Sequence, residues 1–345
     1  MLKLAGGISS RGYKVDLVLA RASGSFLSEV PKHVRVIDLN ASRSLLSLPA
    51  LVAYLRREQP DILYSGLYTN IIALWAKRLA QVPTRVIVSE RAPLSSHVKM
   101  DSSDYRVRLL PHLVQRFYPW ADCIVAISKG VADDLVMNYG IPDDRIHVIY
   151  NPIVTPELCA LAEAPLYHPW FEVGEPPVIL AAGALTAVKD FATLIQAFAM
   201  AQQVRPVRLI ILGEGGDRTK LEALIKQLGL DDKVQLPGFV ANPYPYMKRA
   251  CLFVLSSRWE GLGGVLIEAL YCGVPSIATD CPGGPREILA DGKYGQLVPV
   301  GDSFAMAQAI ESSLTGNAIH PPAESWRPFE LENVVDQYIH LFFSI

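Results

Sequence analysis

The chain has 345 residues, with 32 Lys+Arg against 34 Asp+Glu and a net charge of -2; half of it is apolar and 19% is charged. This balance excludes a disordered chain, which combines low hydrophobicity with high net charge, and argues against a dedicated nucleic-acid binder, which is basic overall. Mean hydropathy is +0.24, yet no apolar run reaches the roughly 18 residues that a membrane-spanning helix needs.

At roughly 150 residues per domain the length predicts two domains. Residues 1–150 carry 19 basic and 13 acidic residues, a net of +6; residues 151–345 carry 13 and 21, a net of -8. Such asymmetry suits an anionic partner for the first half, a membrane surface or a phosphorylated acceptor, or else two unevenly solvated faces. The five cysteines, Cys123, Cys159, Cys251, Cys272 and Cys281, form no C-x-x-C pair and sit in or beside apolar stretches. They read as buried free thiols in a reducing compartment. The opening MLKLAGGISSRG has no signal-peptide core, so a cytoplasmic protein is expected.

In chain order, the chain opens on the end of a helix closed by Gly12. Strands are predicted at 14–20, 34–38, 62–65, 85–89, 123–127 and 146–150, then at 178–182, 208–212, 234–236, 252–255, 276–279 and 295–298. Helical patterns separate them, at 191–203, 217–228 and 263–272 among others. Continuous apolar strands alternating with helices predict α/β architecture with parallel sheets covered on both faces. The proline-rich stretch 155–176 reads as a linker between an N-terminal domain, 1–154, and a C-terminal domain, 177–324. A last helix is predicted over 328–345, from Leu331, Val334, Val335, Tyr338, Leu341 and Phe342 at helical spacing.

Four segments carry candidate chemistry. In Ser256–Ala269, SSRWEGLGGVLIEA, a strand runs into a glycine-containing helix start, with Glu260 at its mouth and Glu268 two turns in. A carboxylate suits a vicinal diol, and the helix start offers free N–H groups to an anion. The bland alternative makes Glu260 a helix cap and Glu268 an exposed helix residue. In Gly183–Asp190, GALTAVKD, Lys189 ends a strand-to-helix loop and either meets a phosphate or is a solvated lysine beside a capping Asp190. Gly213-Glu214-Gly215-Gly216 follows a strand, and Gly283-Gly284-Pro285 precedes Glu287 at a helix start; each alone is compatible with a plain turn.

Together these segments resemble the retaining glycosyltransferases of family 4, which have the GT-B fold. The ordered match runs through SKGVADDL, VIYNP, GALTAVKDFATLIQAFA, ILGEGGDRTKLEALIKQLGL, EGLGGVLIEAL and TDCPGGPREILADGKYGQLVPVGD. The resemblance implies two Rossmann-like doubly wound domains facing across a cleft, with the C-terminal helix returning to the first domain. It implies that Glu268 binds donor ribose hydroxyls and Glu260 donor sugar hydroxyls. Leu262, Gly263 and Gly264 would meet the sugar and diphosphate through their backbone. Lys189 would neutralise the leaving diphosphate. Gly183 would stand beside it, and Gly213, Glu214, Phe239 and Val240 would lie by the base. No Asp-x-Asp occurs, so neither metal nor cofactor is implied; the nucleotide sugar, UDP- or GDP-linked, is a substrate.

Three departures from the family pattern stand out. Ala184 replaces an arginine that would grip phosphate. The loop VIVSERAPLSS offers Glu90 and Arg91, as acceptor-side candidates, where many members carry a histidine; His97 lies further along. Third, no strand and Gly-rich loop precede the first helix. The expectation is an incomplete reading of a longer gene, or a first sheet folded with a gap and open edges.

The expected function is therefore sugar transfer from a nucleotide sugar to a glycan or lipid-linked acceptor in cell-surface polysaccharide or lipopolysaccharide synthesis. The alternative is a truncated, non-catalytic nucleotide-sugar-binding descendant. A dinucleotide oxidoreductase fits less well, because no G-x-G-x-x-G follows an early strand. The segment Arg106–Trp120, RVRLLPHLVQRFYPW, mixes Arg106, Arg108 and Arg116 with apolar and aromatic residues. It is readable as a peripheral contact with an anionic membrane, or as an ordinary helix packed on the first sheet.

Overall fold

The computed structural model describes residues 1–66, 69–100 and 105–344. In chain order the elements are α1 (Leu2–Ser10), β1 (Asp16–Leu19), β2 (Arg35–Asp38), α2 (Leu48–Glu58), β3 (Ile62–Gly66), α3 (Asn70–Ala80), β4 (Arg85–Glu90), α4 (Leu94–Met100), α5 (Tyr105–Phe117), β5 (Cys123–Ala126), α6 (Lys129–Tyr139) and β6 (Ile146–Val148). They continue with α7 (Pro156–Ala162), β7 (Val178–Ala182), α8 (Phe191–Val204), β8 (Arg208–Leu212), α9 (Arg218–Gln227), β9 (Val234–Gly238), α10 (Tyr244–Arg249), β10 (Leu252–Leu255), α11 (Gly264–Tyr271), β11 (Ser276–Thr279), α12 (Pro285–Ile288), β12 (Gln296–Val298), α13 (Ser303–Ser312) and α14 (Leu331–Ser344). Every predicted strand is present, with ends shifted by no more than two residues, and every strand pair is parallel.

The chain divides into two units, residues 1–152 with 331–345, and residues 153–330. In the first, β4 alternates its side chains between two cores. Val86 and Val88 face Ala73 and Leu74 of α3, Val114 of α5 and Leu135 of α6. Ile87 faces Leu4 of α1 and Val334, Val335, Tyr338 and Phe342 of α14. Burying both faces is what an apolar parallel strand requires. α1 and α14 lie so close that a Cβ on Gly7 would stand 2.5 Å from a Val335 methyl. Arg11, just before Gly12 at positive φ, forms ion pairs with Glu332 and Asp336 of α14. The strands of this unit fall into two sheets, β1-β2 and β3-β4-β5-β6. Among the described residues β1 pairs only with β2, and β3 only with β4. Val18, Ile37 and Leu63, from both sheets, pack on one cluster with Leu51 and Leu55 of α2 and Ile72 of α3.

The second unit holds one sheet of order β12-β11-β10-β7-β8-β9. Its strand order reverses between β7 and β10, and open parallel sheets bind ligands beyond the carboxyl ends of the strands at such a switch point. Residues 155–176, expected as a linker, fold as part of this unit. Pro156 and Pro169 each occupy the start of a helical turn, where the missing N–H costs nothing. Leu158 and Trp170 are buried, the latter beneath the Arg208 guanidinium at 4.8 Å. Asn242 donates to the Leu161 carbonyl at 2.8 Å. Prolines and apolar anchors thus dock the stretch instead of loosening it. The cysteines are free thiols, but Cys159 is exposed on α7, whose Leu158 and Ala162 turn inward. Burial pushes the Cys123 thiol up to about 11 and the Cys281 thiol up to about 12.

Candidate functional site

Four loops follow the carboxyl ends of β7, β8, β10 and β11 in the second unit, and the backbone holds them against one another. Gly213 sits at φ +141°, and a Cβ there would fall 1.9 Å from the Gly183 carbonyl oxygen. Gly283, at φ +119°, faces the Glu260 carbonyl oxygen at the same 1.9 Å. Only glycine meets both the conformation and the contact. The Leu185 amide donates to the Glu214 carbonyl at 2.9 Å, and the Asp217 amide to the Leu185 carbonyl at 2.9 Å. Across the switch point the Ser256 hydroxyl donates to the Lys189 carbonyl at 2.7 Å, and the Arg258 amide to the Val188 carbonyl at 2.7 Å. The Glu260 amide donates to the Pro282 carbonyl at 2.9 Å.

Lys189 and Glu260 meet over this switch point. The ammonium lies 2.5 Å from Glu260 Oε1, and the same oxygen accepts from the Ser257 hydroxyl at 2.6 Å. Glu260 is buried; Lys189 is 21% exposed along its side chain. Lys189 is therefore not a solvated lysine, and Glu260 caps no helix, since α11 opens on Gly263 without a side-chain cap. Asp190 precedes α8 at φ 46° but makes no side-chain cap; its buried carboxylate faces Arg258 Nε at 3.1 Å.

The other donor-side candidates lie on the same edge of this unit. Glu268, one turn into α11, is half-buried and accepts from the Tyr244 hydroxyl at 3.2 Å. Tyr244 was missed in the sequence because its partnership with Glu268 spans 24 residues and follows no motif. Burial and the Glu268 charge raise the Tyr244 phenol well above its ordinary range. Leu262 is buried, and Gly263 and Gly264 open α11. Glu214 is held by Arg218 through two bonds of 2.8 and 2.6 Å, which lowers its carboxyl below the usual range. Arg218 also donates to the Leu236 carbonyl, a second contact that no motif signalled. The Gly238 carbonyl accepts from the Gly213 amide at 2.8 Å, which brings the turn containing Phe239 and Val240 to the Gly-rich loop. Phe239 is 78% exposed. Ala184 is exposed on its loop.

In the first unit Glu90 ends β4 and Arg91 follows it, but they differ. Glu90 is buried, and its carboxylate accepts from the Tyr118 hydroxyl and from Asn70 Nδ2 at 3.0 Å. Burial pushes it up to about 7. A side chain so enclosed does not reach an acceptor, which corrects the acceptor-side expectation for Glu90. Arg91 is half-buried and donates to Asn151 Oδ1 at 3.0 Å, beyond the end of β6. Arg106 belongs to α5, but its side chain lies outside the described residues.

Two Rossmann-like parallel-sheet units, one with a glycine-cradled Lys–Glu pair at its switch point, are the architecture of GT-B glycosyltransferases. Comparison with known proteins agrees. Residues 1–156 match the model for Glycosyltransferase Family 4, and residues 168–327 match that for Glycosyl transferases group 1. A lipopolysaccharide core biosynthesis glycosyltransferase of Rhizobium meliloti is 30% identical over 313 residues, covering 88% of this chain and 82% of its own. An N-acetylgalactosamine-N,N'-diacetylbacillosaminyl-diphospho-undecaprenol 4-alpha-N-acetylgalactosaminyltransferase of Campylobacter jejuni is 35% identical over 248 residues. That match covers 71% of this chain and 64% of the relative. Anabaena HepE, solved in complex with UDP, superimposes with a TM-score of 0.77 at 23% identity, over 100% of this chain and 96% of its own. The chain belongs to the family 4 glycosyltransferases, and the expected α/β fold of GT-B type is borne out. Among the described residues no helix is long and apolar enough to cross a membrane.

Proposed function

We propose that the chain transfers a sugar from a UDP- or GDP-linked donor to a glycan or lipid-linked acceptor, retaining the anomeric configuration, in cell-surface polysaccharide or lipopolysaccharide synthesis. The observation that carries this reading is the Lys189–Glu260 pair at the switch point of the second unit, set on loops whose backbones only glycine lets meet. The transferase names of the Rhizobium and Campylobacter relatives, and the UDP in the HepE structure, support it. Glu268, oriented by Tyr244, accepts from the ribose hydroxyls, and exposed Phe239 lies against the base. Glu260 accepts from sugar hydroxyls, while Lys189 and the α11 N-terminus stabilise the diphosphate. The acceptor oxygen attacks the anomeric carbon as its bond to the diphosphate breaks, and the departing phosphate takes the acceptor proton. Catalysis is positioning plus charge stabilisation of that leaving group, and the reading uses no metal. Arg91 is the acceptor-side contact. The setting implied is the cytoplasmic face of a membrane.

A thermal-shift series with UDP, GDP, ADP and their sugars tests this. A bound nucleotide at 100 times its Kd stabilises by about 2.7 kcal/mol. The shift disappears in Glu268→Ala; a shift that persists there moves the nucleotide elsewhere. Ala184, in place of a phosphate-gripping arginine, keeps a second reading in play. Nucleotide binding without donor hydrolysis or transfer would mark the chain as a binding descendant.

A further inference from the structure

In the first unit α3 and α5 lie side by side, and their outer faces carry an aromatic and basic surface that the proposed chemistry does not use. Trp75 of α3, Phe117 of α5 and Trp120 form a triangle, with ring centroids 5.4, 5.1 and 4.9 Å apart. Arg78 stacks over Trp120 at 4.3 Å, and Arg116 lies 5.6 Å from the same ring. Around them stand Leu79, 47% exposed, Leu109, 51% exposed, and Leu113, 37% exposed. Arg108, Leu109, His112, Leu113 and Arg116 share the exposed face of α5, as their spacing on a 3.6-residue helix dictates. Residues 70–80 and 105–120 contain five lysines and arginines and no aspartate or glutamate. Of these, Lys77 is paired with Asp122 at 3.0 Å.

We infer that this α3–α5 face docks on an anionic membrane surface. Exposed leucines and tryptophan suit the boundary between headgroups and acyl chains, where amphipathic rings concentrate. Arginines bury their stems along apolar surface and keep the guanidinium in the headgroup layer. The absence of carboxylates over both segments gives the face the sign that an anionic leaflet attracts. The inference deepens the reading of a lipid-linked acceptor, because a docked first unit meets an acceptor whose tail stays in the bilayer.

The test is co-sedimentation of the full chain with vesicles of phosphatidylglycerol and, separately, of phosphatidylcholine. The chain is expected to pellet with the former and be released as salt screens the attraction. Reversing Arg78, Arg108 and Arg116 to Glu weakens that binding by roughly a hundredfold or more, at the ~1 kcal/mol that each surface cation contributes. Leu109→Ser with Leu113→Ser weakens it while leaving the basic residues in place. The UDP thermal shift is read on every variant. A preserved shift reports an intact fold, and a shift absent from all chains, wild type included, counts against the donor reading alone. Equal pelleting with phosphatidylcholine, or no pelleting of the wild type, overturns the inference. So does anionic-vesicle binding unchanged in the folded charge-reversed variant, or a solution dimer that this variant dissolves.

Discussion

Lys189 and Glu260 touch each other although 71 positions separate them, and both side chains are largely withdrawn from solvent. Removing either affects more than one donor contact, because the survivor is left with an uncompensated charge. Glu260→Gln is expected to cut kcat by 10²–10³-fold, the range found when one preorganised polar contact to the reacting groups is lost. Steady-state kinetics with the donor identified by thermal shift would check it; unchanged kcat would remove Glu260 from the site. Phe239→Ala should weaken nucleotide binding by about 1–3 kcal/mol, the usual worth of a base on an aromatic ring, measurable by calorimetry. Glu90 belongs to the same scale but to stability. Its folded pKa of about 7 lies above the ordinary 4.5. The native state therefore holds a proton that the unfolded chain releases between these values. Stability is full below pH 4.5 and falls as pH rises through 7, by at most about 3 kcal/mol. Urea unfolding at pH 5 and pH 8 should show this drop, and Glu90→Gln should flatten it.

At the scale of elements, glycines decide how closely helices and loops approach. Gly7 lets α1 press on α14, where a Cβ would stand 2.5 Å from Val335 Cγ2 and 3.3 Å from Leu331 Cδ1. Gly7→Ala is expected to destabilise by about 1–2 kcal/mol, because overpacking outweighs the ~1 kcal/mol gain in helix propensity. Thermal unfolding would register it, and a gain in stability would mean that the two helices part freely. The central strands were legible because each is a short apolar run covered on both faces, as β4, β5, β7 and β10 are. The stretch 155–176 was not. Its four prolines read as a linker, whereas the positions of Pro156 and Pro169 at helix starts and the burial of Leu158 and Trp170 emerge only once the second unit offers surfaces to pack on.

At the scale of the molecule, the chain enters the second unit near Pro152 and leaves it after Glu330. The two crossing segments are held together, with the Ile153 and Val154 amides donating to the Phe329 carbonyl. Because α14 supplies Val334, Val335, Tyr338, Leu341 and Phe342 to the core of the first unit, the last helix is needed for a domain that begins more than 300 residues earlier. A chain ending at residue 330 is expected to lose cooperative folding of residues 1–152, seen as rapid proteolysis of that part. Protection equal to the full chain would show that α14 is dispensable.

The sequence by itself determined the α/β class, the strand positions and the family, and it named the candidate residues of the donor side. Those properties are local: apolar runs, glycines at turns, and ordered motifs along one strand-to-helix edge. Only the tertiary structure decided which of these residues touch. It joined Lys189 to Glu260, set Tyr244 on Glu268, enclosed Glu90 beneath Tyr118, and divided the strands of the first unit into two sheets. Each of these outcomes depends on contacts between segments distant in the chain, where burial and charge pairing, rather than local pattern, set the energy.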